Sequence, residues 1–199
     1  MSLETAVKNL SAHGFCVRVF ETGEEAVRAI RQELSGKTIG FGGSVTLRQL
    51  GLFEALSEHN SVFWHWKQDA AEARSKAMTA QVYFTSANAI SETGEIINID
   101  GTCNRVSSML YGHEALYFVA GTNKLAPDLA SAMERARNIA APLNARRLSC
   151  KTPCALAEPM RCHDCSSPDR ICNAFLTLAR PSGGIGKTHV ILIKEDLGY

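Results

Sequence analysis

The chain has 199 residues, 45% of them hydrophobic, enough to bury a full core, and its length fits one domain over 1–199 better than two. Its 21 basic and 20 acidic residues leave a net charge of +1, which argues against nucleic acid or an anionic membrane as partner. No apolar run approaches a membrane span, and the opening MSLETAVKNLSAHGF is polar and acidic where a signal peptide needs an apolar core, so the expected location is the cytoplasm.

From the N-terminus, Leu3, Ala6, Val7 and Leu10 recur at helical spacing over residues 3–12, and the run from Phe15 to Phe20 alternates as a strand does. Thr22 ahead of Glu24 and Glu25 reads as an N-cap with an acidic first turn, opening a helix over EEAVRAIRQEL that Gly36 ends. KTIGFGG is a short buried strand, Ser44 opens a helix over VTLRQLGLFEAL, SVFWHWK is β-prone, and DAAEARSKAMTA has the alanine bias of a helix. QVYFTSANA, EIINID and ALYFVAG are further strands, with a helix available over 103–112. PDLASAMERARNIAAPL is helical with Pro127 near its first turn, a cysteine-rich loop covers about 150–173, and HVILIKED closes as an apolar strand. This alternation predicts an α/β domain with a largely parallel sheet covered on both faces.

Two segments have the composition of a binding site. In GFGGS, residues 40–44, glycines after a buried strand let the backbone approach a ligand, and a helix opening at Ser44 offers amides to an anion. The same glycines could serve only a tight turn. Residues 85–106 gather Asn88, Ser91, Glu92, Thr93, Glu95, Asn98, Asp100, Asn104 and Arg105 around two strand ends, where ligands of parallel sheets collect. Arg105 suits a carboxylate, although any one of these residues could be a turn former or cap. GGIGKTH fails as a phosphate loop, because the position five residues ahead of its GK glycine is Pro181 and the segment precedes a strand. The scattered histidines form no metal pair, and Trp64 and Trp66 share one strand face, which predicts core packing.

Five of the seven cysteines fall in CKTPCALAEPMRCHDCSSPDRIC. Cys154, Cys162, Cys165 and Cys172 are spaced C-x7-C-x2-C-x6-C, and the central pair can converge on one metal from a tight turn. Four thiolates suit a structural zinc ion or a 4Fe-4S cluster, and the spacing does not separate the two. Reduced, metal-free cysteines or a thiol switch involving Cys150 are the alternatives.

GFGGSVTLRQLGL, TSANAISETGEIINIDGTCNRVSSMLYGHEALYFVAGTNK and the closing THVILIKEDLGY, in that order from about residue 37 onward, resemble the LUD domain, the lactate-utilization family that includes the LutC and YkgG proteins. The resemblance implies the NagB/RpiA/CoA-transferase-like fold, a three-layer α/β sandwich around a mostly parallel sheet. It implies a role beside oxidation of L-lactate to pyruvate, with iron–sulfur oxidoreductase subunits as partners. Its motifs fall on Gly42, Gly43 and Ser44, on Ser86, Asn88 and Ala89, on Asp100, Asn104 and Arg105, and on Gly121, Asn123 and Lys124. These would line a pocket for a small carboxylate or an anionic cofactor. The cysteine loop departs from LutC-type chains and resembles stand-alone LUD proteins. Two other functions stay open: an acyl- or CoA-transferase-like enzyme with Glu92 or Glu95 as carboxylate nucleophile, and a non-catalytic regulatory or assembly module whose metal-clipped loop docks a partner.

Overall fold

The structure, a computed structural model, describes residues 2–199. Several of the helices begin where a side chain takes up an otherwise unpaired amide. Ser2 accepts from the Thr5 amide ahead of α1 (Leu3–Ala12), and Thr22 accepts from Glu25 ahead of α2 (Gly23–Glu33). Ser44 caps α3 (Val45–Gln49) through the Leu47 amide, as its position in the sequence predicts. The helix expected to continue from there breaks at Gly51, whose φ of 62° is left-handed, and resumes as α4 (Leu52–Ser57). Asp69 then caps α5 (Ala70–Met78), and α6 (Asn104–Ser108) fills part of the expected 103–112 helix.

The helical run after Pro127 is not uniform. It comprises α7 (Leu129–Arg135), a π turn (Ala136–Ala140) and α8 (Ala141–Arg147), with Pro127 lying just outside the Asp128 cap. Pro142 has no amide to donate, so the regular ladder is interrupted ahead of it, where the π turn lies. A last short helix, α9 (Pro153–Leu156), sits inside the cysteine loop.

The described strands are β1 (Cys16–Phe20), β2 (Thr38–Phe41), β3 (Ser61–Trp64), β4 (Val82–Thr85), β5 (Ala89–Ser91), β6 (Ile96–Asp100), β7 (Ala115–Gly121), β8 (Leu125–Ala126), β9 (Ala174–Leu178) and β10 (Lys187–Ile193). Six form an all-parallel sheet in the order β1-β10-β7-β4-β2-β3. A row of rings locks the register of five of them. Trp64, Phe41, Phe84, Tyr117 and His189 are direct neighbours across the strands, with successive centroids 5.4, 5.4, 4.6 and 4.3 Å apart.

Alternation along the strands divides the core. Phe41, Val82, Phe84, Tyr117, Val119 and Ile191 face α2, α3 and α4, whereas Tyr83, Leu116, Phe118, Val190 and Leu192 face α1, α5 and α6. The second face also receives a smaller sheet, β8-β5-β6-β9, through Ile90, Ile96 and Leu178. The far side of that sheet packs Ala89, Ile97 and Ile99 against Ala132, Ala136 and Ala141 of the α7–α8 run. The expected α/β sandwich around a mostly parallel sheet is therefore present, with an added sheet and helix layer. The continuous strand expected over QVYFTSANA is two strands, β4 and β5, one in each sheet. Among the described residues, no helix is long and apolar enough to cross a membrane.

Candidate functional site

The parallel strands end together on one side, and their loops enclose a cleft of about 310 Å³. Gly43 and Ser44 follow β2, His65 and Trp66 follow β3, Ser86 and Asn88 follow β4, and Lys124 follows β7. The opposite wall is Asp100, Asn104 and Arg105 from the β6–α6 junction, Asn144 and Arg147 from α8, and Ile171 from the cysteine loop. Sheet order reverses between β2 and β4, with β3 outside one and β7 outside the other, so their loops part where α/β proteins place ligands.

Lys124 forms the floor and is 4% exposed. Its Nζ donates to Thr46 Oγ1 and to Ser86 Oγ, both at 2.9 Å. Burial, with the positive charges of Arg135 and Arg105, pushes its pKa down to about 7. The tail closes over it: Thr46 Oγ1 donates to the Leu197 carbonyl at 3.2 Å, and Gly198, at φ +66°, leaves no room for a side chain beside Thr46 Oγ1 and Lys124 Nζ.

Asp100 organises the opposite wall. Its carboxylate accepts the Arg105 and Val106 amides at 3.0 and 3.2 Å and pairs with Arg105 Nε at 3.6 Å. It thereby caps α6, whose own N-cap residue Cys103 supplies no side-chain bond. Arg105 is braced further by a 2.6 Å bond to the Ile99 carbonyl. Beside it His65 is pushed down to about 4 by burial and by Arg74 and Arg105, and is neutral at pH 7. The Arg147 and Arg48 guanidinia lie 4.8 and 5.6 Å from the centroid of the Trp66 ring, which stacks on buried Trp64 at 5.3 Å.

Of the residues singled out in the sequence, Gly43, Ser44, Ser86, Asn88, Asp100, Asn104, Arg105 and Lys124 line the cleft. Gly42 and Asn123 stand behind it. A Cβ on Gly42 would lie 3.0 Å from Arg105 Cγ, and Asn123 Oδ1 accepts the Leu197 amide at 3.2 Å. The helix opened by Ser44 has five residues, and the serine hydroxyl accepts the Leu47 amide as its cap. Glu92 and Glu95 lie in the β5–β6 turn, away from the cleft lining. Glu92 accepts the Ser2 amide at 2.7 Å, and its carbonyl accepts from Asn9 at 2.6 Å, docking the turn on α1. Glu95 is opposed by burial, but hydrogen bonds from Ser91 and Thr93 prevail and hold its carboxyl below the usual range.

Sequence reasoning missed His65, Trp66, Arg74 and Arg147 as cleft residues. Trp66 was readable as the partner of Trp64 on one strand face, but β3 ends at Trp64 and the second ring turns into the cleft. Arg147 carried no local signal, since α8 reaches the cleft from another layer.

All seven cysteines are free thiols, each partly exposed. Cys172 is pushed up to about 11 by burial, with Arg170 opposing and the nearby thiols of Cys162, Cys154 and Cys165 adding to the rise. Among the described residues, no three His, Cys, Asp or Glu side chains converge as ligands of one metal ion.

These features define an α/β protein with an electropositive cleft at the carboxyl ends of a parallel sheet. The chain belongs to the LUD domain family, which it matches over residues 3–193, and in that broad sense is a protein of the lactate-utilization type. It is similar to the crystal structure of a DUF162 family protein from Deinococcus radiodurans, with a TM-score of 0.58 and 14% identity over 96% of this chain and 95% of that one. That likeness concerns the fold. No curated protein matches the chain.

Proposed function

We propose that the cleft binds a small organic anion, a 2-hydroxy or 2-oxo acid of the lactate and pyruvate class, in a lactate-utilization role. The observation that carries this reading is Lys124, buried on the floor against two hydroxyls and, among the described residues, without a carboxylate partner. A buried ammonium without a counter-charge is costly, and an anionic ligand would supply one. Arg74, Arg105 and Arg147 line the same space, while Asp100, the side-chain carboxylate on its wall, is already engaged by Arg105 and the α6 amides. Neutral His65 adds a hydrogen-bonding group that can meet a hydroxyl or carbonyl oxygen. Oxidation of a bound hydroxy acid would release two electrons, which iron–sulfur partner subunits would accept.

A transferase built on Glu92 or Glu95 finds no support in this arrangement, because a carboxylate nucleophile must reach the bound substrate and both residues serve the β5–β6 turn. Calorimetric titration with L-lactate and with pyruvate tests the proposal. Saturable binding of either acid that weakens at least tenfold, roughly the 1.4 kcal/mol of one lost charged contact, in both Lys124→Met and Arg105→Met supports it. Absence of saturable binding by either acid would reject it.

A further inference from the structure

The hydrogen bonds of Lys124 count its protons. Nζ reaches Thr46 Oγ1 and Ser86 Oγ, both at 2.9 Å. Neither hydroxyl has a hydrogen to return, because Thr46 donates its own to the Leu197 carbonyl at 3.2 Å and Ser86 directs its own at Thr46 Oγ1, 3.4 Å away. Both bonds therefore run outward from the amine. An ammonium carries three hydrogens and a neutral amine two, and among the described residues Nζ has no third acceptor. The surroundings thus match the neutral amine, whose lone pair occupies the remaining direction without a protein partner. Burial, with the charges of Arg135 and Arg105, favours the same form by lowering the pKa to about 7.

The nitrogen is also kept approachable. Lys124 belongs to the lining of the cleft of about 310 Å³, and beside it stands Gly198, where a Cβ would come within 3.2 Å of Nζ. A larger residue at that point would crowd the amine. Asp100, on the same lining, is engaged by Arg105 and the α6 amides and does not hold the lysine protonated. Arg105 and Arg147 on the walls suit a carboxylate. A buried lysine amine with an unclaimed lone pair, in a cleft lined by guanidinia, is equipped to attack the carbonyl of an acid.

We propose that Lys124 is a nucleophile that captures 2-oxo acids covalently, as an iminium through Nζ, while 2-hydroxy acids are held by charge and hydrogen bonds alone. This rests on the reading of the cleft as a site for acids of the lactate and pyruvate class. The Nζ lone pair forms a bond to the C2 carbonyl carbon. The carbonyl oxygen then leaves as water, taking one hydrogen from the nitrogen and one proton from solvent, and nothing is oxidised or reduced. The product is a cation with the acid's own carboxylate on the adjoining carbon, so the buried charge and its partner arrive together. A hydroxy acid has no carbonyl carbon to attack, and the same cleft thereby separates the oxidised acid from the reduced one. Proton uptake on binding is retained, since the iminium is charged as an ammonium is.

The test incubates the full chain with pyruvate and cyanoborohydride, which reduces the iminium to a stable secondary amine, and reads the intact mass and a peptide map. At pH 7 an ordinary lysine holds about a thousandfold less neutral amine than Lys124, so a single adduct should form on Lys124 at least about tenfold faster than on any other lysine. L-Lactate with the same reductant should leave the mass unchanged, and Lys124→Met should lose the fast adduct. Pyruvate that binds saturably by calorimetry yet leaves Lys124 unmodified would overturn the iminium and leave the anion reading standing. Labelling spread evenly over the lysines, or undiminished in Lys124→Met, would overturn it as well. Absence of binding together with absence of adduct would remove both. Should Lys124→Met fail to fold, the peptide map of the unaltered protein still decides.

Discussion

Lys124 Nζ and Ser86 Oγ lie 2.9 Å apart at the floor of the cleft, a buried amine on a hydroxyl where an ion pair would be the ordinary arrangement. Because burial holds the amine near pH 7, it is about half protonated at neutral pH and mostly neutral at pH 9. An anion entering the cleft would raise that pKa and draw in a proton.

Affinity for pyruvate or L-lactate should therefore be greatest below pH 7 and fall as pH rises, approaching about tenfold per pH unit between the free and liganded pKa of Lys124. Titration calorimetry at pH 8 in two buffers of different ionisation enthalpy should show proton uptake on binding. A flat pH profile with no proton uptake would mean that Lys124 does not meet the ligand's charge.

The same group ties stability to pH. Its ordinary value of 10.5 falls to about 7 on folding, so between those values the unfolded chain binds more protons than the folded one. Stability rises with pH across that window, and the cost of the buried ammonium is fully present below it. Relative to Lys124→Met, the unaltered protein should gain at most about 5 kcal/mol between pH 7 and 10.5, or about 1.4 kcal/mol for each pH unit. Urea midpoints of the two proteins at pH 7 and 9.5 measure the difference, and a gap that does not change with pH would refute the linkage.

How far the sequence could be read depended on whether the signal was local. Ser44 and Thr22 announce their helices because a cap acts on an amide three residues away, and Lys124 and Arg105 stand in motifs whose order the family resemblance exposes. The smaller sheet was less legible. β9 pairs with β6 across more than seventy residues, and the QVYFTSANA run changes sheets at Ser86, a turn that hydrophobic patterning does not reveal. Glu92 and Glu95 looked chemical in the linear text because turn formers and catalytic carboxylates are the same residue types. Their hydrogen bonds to Ser2, Ser91 and Thr93 explain them as a docked turn.

Gly40 is required by packing. A Cβ there would sit 2.5 Å from the Ala77 carbonyl oxygen and 2.8 Å from its Cα, so β2 could no longer rest on α5. Gly40→Ala should cost about 1–3 kcal/mol or more, since helix backbone must move to admit the methyl group. Gly183→Ala, with nothing within 4 Å of its Cβ, should be within about 0.5 kcal/mol of the unaltered protein. Denaturant midpoints of the two variants compare these expectations directly, and equal midpoints would show that the β2–α5 contact gives more easily than its spacing implies.

Trp66 offers an optical report on the cleft. Its ring lies on the wall, 4.8 Å from the Arg147 guanidinium and 5.6 Å from that of Arg48, while Trp64 behind it is wholly buried. Cation–π contacts of this kind are worth about 0.5–2 kcal/mol, so an anion that pairs with Arg147 can draw the cation from the ring. Tryptophan emission should then change saturably as pyruvate or L-lactate fills the cleft, with a midpoint matching calorimetry. In Trp66→Phe the change should disappear while binding persists, because Trp64 is insulated from the ligand. A spectral change that survives undiminished in Trp66→Phe would place the anion away from the Arg147 wall.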